Sequence, residues 1–349
     1  MRGWRAGSAG ERYSPSMSLE AILDLFVAYQ RTAAVKTGVE LEVFTAIGEG
    51  VDTAGRLAVR CQAEERGMRI LCDYLTVIGL LRKQDDRYAL AADAATFLDR
   101  RSRAYVGSVV LSVAGETNLQ AFARLTAAVR RGGTALPAGG TLAPEHPVWV
   151  EFARAMVPGG AFMGPRLASL LDVKARGYMK VLDIAAGHGL YGIAVATQNP
   201  AAEVVALDWP NVLALAREHA EAAGVGERCR LLPGSAFTVD FGTGYDLVLL
   251  VHFLQDLDLA TCERLLRKVH AALVPGGRAV ALGFVPNDDR VSPPPHAAFG
   301  LTMLATTPGG DAYTVSELDR MFRSVGFVRT ELHDLPPTTE RVLIAYRSS

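Results

Sequence analysis

The segment VLDIAAGHGLYG, from Val181 to Gly192, carries the clearest chemistry in this sequence. An apolar run ends on Asp183, small residues follow, and helical text resumes near Leu190. Ala185, Gly187 and Gly189 put no bulk between an incoming ligand and the backbone N–H groups of a helix N-terminus, where a polar ligand end is stabilised. A second apolar run, EVVALD, ends on Asp208, about twenty residues past the loop, the spacing at which a carboxylate binds ribose hydroxyls. The implied chemistry is the binding of a nucleoside-bearing small molecule.

Two ligand classes share that arrangement, nicotinamide dinucleotides and S-adenosylmethionine. Three features favour the second. Asp183 stands just before the loop, where it can reach an amino-acid end. Ala185 occupies the position at which a dinucleotide fingerprint wants glycine for its tight turn. The apolar runs 327–333 and 341–347 are separated only by a polar turn, Pro336-Pro337-Thr338-Thr339, so they should pair antiparallel, as a dinucleotide domain does not normally show. An NAD-dependent dehydrogenase remains an alternative.

The elements that must position these residues follow from the pattern. Short apolar runs at 179–184, 203–208, 229–233, 245–252 and 277–284 alternate with helical text at 189–198, 210–223 and 259–273. That alternation predicts an α/β fold, a Rossmann-like doubly wound parallel sheet whose last strand is antiparallel. The first half reads differently. Leu19, Ile22, Leu23, Phe26, Val27 and Tyr29 recur at helical spacing, Asp52 and Thr53 offer cap chemistry before AGRLAVRC, and Arg66–Leu81 is amphipathic before a polar turn and a short hairpin. Helix, turn, helix and hairpin is the shape of a winged helix. Residues 93–131 are helical, and Trp149–Met156 and Phe162–Leu171 read as two helices joined by Pro158-Gly159-Gly160. The expected divisions are a disordered tail at 1–17, a mainly α winged-helix domain at 18–105, a helical linker at 106–175 and the ligand-binding domain at 176–349. The tail has no signal-peptide core, and Met17 could be the true start.

Composition narrows the classes. The 349 residues suit two domains, and 36 Lys plus Arg against 37 Asp plus Glu give no field to attract a polyanion. Nucleic acid and membrane are not expected partners, and no apolar run reaches the roughly 18 residues of a membrane span. The four scattered cysteines lack metal or disulfide spacing and read as buried thiols in a reducing, cytoplasmic setting. No metal is expected.

Longer stretches carry a family resemblance: VLDIAAGHG, VVALDWPNVLALAREHA, LLPGSAF, YDLVLLVHFLQDLDLATCERLLRKVHAALVPGG and TTPGGDAYTVSEL before GF. From about residue 20 onward the chain resembles the winged-helix, class I S-adenosylmethionine-dependent O-methyltransferases of plant phenolic and bacterial polyketide type. The resemblance implies a homodimer built by the N-terminal region. It implies that Asp208, with Trp209 beside it, holds the ribose and that Ser235, Ala236 and Phe237 frame the adenine. It implies a small aromatic or polyketide-like acceptor, bound against residues such as Trp149, Phe152, Met156, Phe162, Met163 and Met303.

The chain also departs from that family. The family's general-base histidine falls on Gln255, whose amide takes no proton near neutral pH. The acid after the fifth strand is replaced by Gly283, and the adenine-facing acid by Ser235. Two rescues offer themselves: His252, which would share a face with Gln255 if a helix has begun there, and Asp256, which would point elsewhere. Restoring Gln255→His should then raise turnover of a catechol-like acceptor. His188 reads as orienting the loop, and His146, His219, His270 and His296 as surface residues. Two further readings stay open. The bound sulfonium could serve only as a charge in a reaction other than methylation, or the winged helix could be a DNA-binding regulator with Arg60, Arg66, Arg69, Arg82 and Lys83. The apolar text around Cys61, Ile70, Leu71, Leu75 and Ile78 argues against the second.

Overall fold

Ser18 accepts a hydrogen bond from the Ala21 N–H at 3.1 Å and so opens the first helix, as an N-cap serine does. The computed structural model describes residues 18–142 and 145–349, so the expected tail at 1–17 lies outside the described residues. The chain divides into two compact units at Ser102 and Arg103.

In the first unit, α1 (Leu19–Phe26), α2 (Tyr29–Glu40), α3 (Val43–Gly48), α4 (Ala54–Arg60) and α5 (Glu65–Val77) precede a hairpin of β1 (Leu81–Gln84) and β2 (Arg87–Leu90), then α6 (Ala92–Phe97). The amphipathic reading of α5 holds: Met68, Cys72 and Leu75 face inward at helical spacing. The hairpin pairs Leu81 with Leu90 and Gln84 with Arg87, as the polar turn requires. Several cations of the DNA-binding reading are spoken for. Arg60 meets Glu49, and Arg69 and Lys83 share Asp73.

The second unit begins with α7 (Val109–Val113), α8 (Glu116–Ala123) and α9 (Leu125–Arg131), so the helical text of 93–131 is broken rather than continuous. The next element corrects the sequence reading. Val148–Leu170 is one helix, α10, with Pro158 and Pro165 inside it. An interior proline costs about 3 kcal/mol, and tertiary packing overrides it here. The inner face of α10, with Gly160, Met163, Gly164 and Leu167, lies against the segment that follows β3 (Met179–Ile184). A Cβ on Gly160 would overlap the His188 ring, and one on Gly164 would sit 2.8 Å from the Leu190 carbonyl. Of the two glycines that looked like a break, Gly160 is therefore part of a close-packing surface, while a Cβ on Gly159 would meet nothing within 4 Å.

Then come α11 (Leu190–Gln198), β4 (Ala202–Asp208), α12 (Pro210–Ala222), β5 (Cys229–Pro233), β6 (Tyr245–Val251), α13 (Leu259–Ala272), β7 (Leu273–Gly283), α14 (Pro294–Thr306), α15 (Val315–Ser324), β8 (Arg329–Asp334) and β9 (Arg341–Tyr346). The strands stand in the order β5-β4-β3-β6-β7-β9-β8. β3 to β7 run parallel, and β9 is antiparallel to both β7 and β8. Both faces are covered, which is why the central strands are almost wholly apolar. Leu182, Val248 and Ala279 pack on one side with Leu265 and Phe322, while Val181, Leu249 and Val280 pack on the other with Val195 and Leu167.

Helices α14 and α15 were not foreseen, although the capping box Thr314–Glu317 at the start of α15 was legible as TVSE. Strand order reverses at β3, between β4 and β6, and such a switch point opens a crevice at the carboxyl ends of the strands. Among the described residues no helix is long and apolar enough to cross a membrane.

Candidate active site

The loop after β3 turns through left-handed backbone at Ala185 (φ 56°), Gly187 (φ 58°) and Gly189 (φ 75°). Asp208, at the end of β4, fixes this loop: its Oδ2 accepts the Gly187 N–H at 2.8 Å and its Oδ1 the Trp209 N–H at 2.7 Å. Burial nevertheless raises the Asp208 carboxyl above its ordinary range. A Cβ on Gly187 would meet nothing within 4 Å, so open space stands over the loop.

That space belongs to a cavity whose walls include Ala185, Gly187, Asp208, Trp209, Ser235, Ala236 and Phe237. The Ser235 hydroxyl accepts the Phe237 N–H at 3.2 Å and shapes this stretch of wall. The Phe237 and Phe253 rings stand 6.3 Å apart on the wall. A carboxylate for a ribose, two rings for a flat base and an open glycine loop fit a nucleoside ligand.

Two expected ligand contacts have other work. Asp183 is buried below the loop, where its Oδ2 accepts the Gly192 N–H at 3.1 Å and anchors the first turn of α11. Burial pushes its carboxyl up to about 7. Gly189 caps α11 and packs closely on Ala216. Neither is among the residues that line the cavity.

The catalytic candidates separate. β6 ends at Val251, and His252 takes left-handed backbone (φ 51°) while its N–H reaches the Leu282 carbonyl at 2.8 Å. Only a single 3-10 turn, Leu254–Asp256, follows. His252 and Gln255 therefore do not share a helical face. Instead His252 and Asp256 line the cavity, and Gln255 turns to Gly283, where a Cβ would sit 2.9 Å from its Oε1. The two departures from the family pattern thus fit one another: the amide occupies the approach that a side chain at 283 would need.

Burial disfavours a charged ring at His252, but Glu340, whose Oε1 lies 3.1 Å from Nε2, outweighs it and holds the ring above its ordinary value. Burial pushes Asp256 up to about 7. His188 is the opposite case. Burial drives it down to about 3, its Nδ1 accepts the Leu190 N–H at 3.2 Å, and its ring stacks on Tyr191. It orients the loop as a neutral ring. His296 is fully buried rather than exposed, with Nδ1 against the Val285 carbonyl at 2.9 Å, and His270 packs edge-on to Phe327. The reading of His296 as a surface residue is thus corrected, its long-range partner leaving no local pattern, while His270 is partly exposed.

Of the expected acceptor contacts, Trp149 and Phe152 line the cavity, edge to face at 5.9 Å. Met163 is in the core beside Leu167 and Tyr191. Phe162 faces outward with the Arg166 guanidinium 3.6 Å above its ring. Met156 and Met303 are absent from the lining among the described residues. Phe253, Leu142, Val212 and Leu257 line it and were missed. The position of Phe253, two residues past the end of β6, was the available signal.

Residues 147–328 match the family model for the O-methyltransferase domain, and residues 23–100 that for the O-methyltransferase dimerisation domain. The chain belongs to the O-methyltransferase family. Among curated relatives of this methyltransferase is the tetracenomycin polyketide synthesis 8-O-methyl transferase of Streptomyces glaucescens, 30% identical over 91% of this chain and 94% of that protein. A candidate O-methyltransferase from Nostoc punctiforme superposes with a TM-score of 0.91 at 50% identity, covering 95% of this chain and all of that one (100%). The human N-acetylserotonin methyltransferase, solved with S-adenosylmethionine, shares the fold (TM-score 0.84, 19% identity, 97% and 100% coverage). Membership of the O-methyltransferase family makes S-adenosylmethionine the cofactor, and the cavity at Asp208 and Gly187 suits it.

Proposed function

We propose that this enzyme methylates a hydroxyl group of a small, flat, aromatic or polyketide-like acceptor, with His252 as the proton acceptor. The observation that carries this reading is that Asp208 and His252 stand on the walls of one cavity whose remaining surface includes Trp149 and Phe152. When bound, S-adenosylmethionine supplies an electrophilic methyl group. The chain supplies the rest. Asp208 and the backbone around Gly187 fix the nucleoside, Ser235, Ala236 and Phe237 border its base, and Trp149 and Phe152 set the plane of the acceptor. Holding the two reactants in line removes much of the barrier, and a nearby imidazole takes the hydroxyl proton. Glu340 favours the protonated ring, so the base form of His252 predominates only at a pH above the ordinary imidazole value of about 6.5.

The test is incubation of the purified enzyme with S-adenosylmethionine and a panel of phenols and naphthols. Methylated product and S-adenosylhomocysteine should appear one for one by mass spectrometry. Altered acceptor without S-adenosylhomocysteine would replace this reading with the one in which the sulfonium acts only as a charge.

We also propose a homodimer and a cytoplasmic setting. The matched dimerisation domain and the exposed Leu19, Leu23, Leu25 and Phe26 of α1 support the first. The four free cysteines support the second. Light scattering at the mass of two chains checks the dimer. The functional division keeps 18–105 as the dimerisation part, 106–175 as a helical, acceptor-facing part and 176–349 as the cofactor part.

A further inference from the structure

We propose that Glu340 is the positioning residue for His252: its carboxylate takes the Nε2 proton of the ring and leaves Nδ1 as the atom that receives the acceptor's hydroxyl proton. This rests on the reading of His252 as proton acceptor.

An ionised carboxylate only accepts hydrogen bonds, so the 3.1 Å contact from His252 Nε2 to Glu340 Oε1 requires the proton on Nε2. A neutral imidazole carries one N–H, and Nδ1 is then the basic atom. Among the described residues Nδ1 has no hydrogen-bond partner. It lies 3.8 Å from where a Cβ of Gly283 would stand, an ordinary contact distance, so the glycine puts no side chain against the basic side of the ring, and Gln255 Oε1 stands 2.9 Å from the same point.

The pair joins two parts of the chain far apart in sequence, at strands separated in the sheet only by β7. His252 follows β6, and Glu340 immediately precedes β9, whose Arg341 is opposite Gly283 in the antiparallel register. The two side chains are 20% and 17% exposed, in surroundings where a charged pair is felt strongly. Glu340 Oε2 is buried without a hydrogen-bond partner. The charged and titratable groups that act on the pair are Asp256 and His188 at the ring, and His296 and Tyr191 at the carboxylate.

In the step, the hydroxyl proton passes to Nδ1 as the acceptor oxygen gains the methyl group. The methyl–sulfur bonding pair stays with sulfur. The imidazolium, stabilised by Glu340 while it lasts, gives its proton to solvent.

The experiment is NMR of the full chain with labelled histidine, for the wild type, Glu340→Gln and Glu340→Ala, with kinetics on 1-naphthol as the probe acceptor. Glu340→Gln still accepts from Nε2 but carries no charge. Its His252 should keep the Nε2–H tautomer while its titration midpoint falls by about one unit or more. The acid limb of kcat/KM should move down with it, kcat should fall about tenfold or more, and KM for S-adenosylmethionine should hold. Glu340→Ala should mix the tautomers. In a His252→Ala background Glu340→Gln should add nothing. Melting curves and S-adenosylhomocysteine calorimetry confirm that each variant folds. An unmoved His252 midpoint in Glu340→Gln, or additive losses in the double variant, would overturn the proposal. A shifted midpoint with unchanged kinetics would overturn it through its premise, by removing His252 from proton transfer while leaving the pairing intact.

Discussion

The two walls of the cavity are built differently. The cofactor wall is held by neighbours in sequence or by adjacent strands: Asp208 bonds Trp209 beside it and Gly187 one strand over, and Ser235 bonds Phe237. The other wall is assembled from afar: His252 after β6 lines the cavity, and its partner Glu340, just before β9, comes from far along the chain. The comparison teaches that the cofactor wall is a local pattern in the sequence, while His252 meets its partner Glu340 only through the tertiary structure.

The comparison is broken most forcefully at Asp208. Asp208→Ala should weaken S-adenosylhomocysteine binding by about a hundredfold or more in calorimetry, since each lost charge-assisted hydrogen bond is worth about 1.5–3 kcal/mol and about 1.4 kcal/mol is tenfold. Unchanged affinity would show that the local wall is not the cofactor wall. Phe253→Ala should cost about tenfold in the same assay, within the roughly 1–3 kcal/mol of a base stacked on an aromatic ring. An affinity equal to that of the wild type would remove Phe253 from the base site.

This division also explains what could be read without coordinates. Every strand of the large sheet falls at or within a few residues of its expected run, because apolar runs and their turns are local signals. The order of events at Gly187 and Asp208 was legible for the same reason. Helix α10 was not, since its continuity through Pro158 depends on the packing of Gly160 and Gly164 against the loop and α11. The pairing of His252 with Glu340 was out of reach, because nothing near either residue announces the other. Gln255 misled in a related way. Its alignment with the family base is plain, but the left-handed turn at His252 and the space at Gly283 decide where the two side chains point.

A smaller effect sharpens the contrast from beneath the loop. Asp183 is held to about 7 by burial. A raised acid favours the protonated folded state, so its contribution to stability is fully present below the unfolded value near 3.9 and is lost as pH rises toward 7. Asp183→Asn can keep the bond from Gly192 N–H through its amide oxygen, so its melting temperature should match the wild type near pH 4 and exceed it progressively toward pH 8. A difference that does not change with pH would contradict a neutral, structural Asp183.

The central claim is that the base has moved from position 255 to 252. Single-turnover rates of His252→Ala and Gln255→His, with cofactor affinity measured in parallel, test it directly. His252→Ala should lose about two to four orders of magnitude in rate and keep its S-adenosylhomocysteine affinity, and Gln255→His should stay within about threefold of the wild type. A large gain from Gln255→His, together with an intact rate in His252→Ala, would contradict the claim and return the proton-accepting role to position 255.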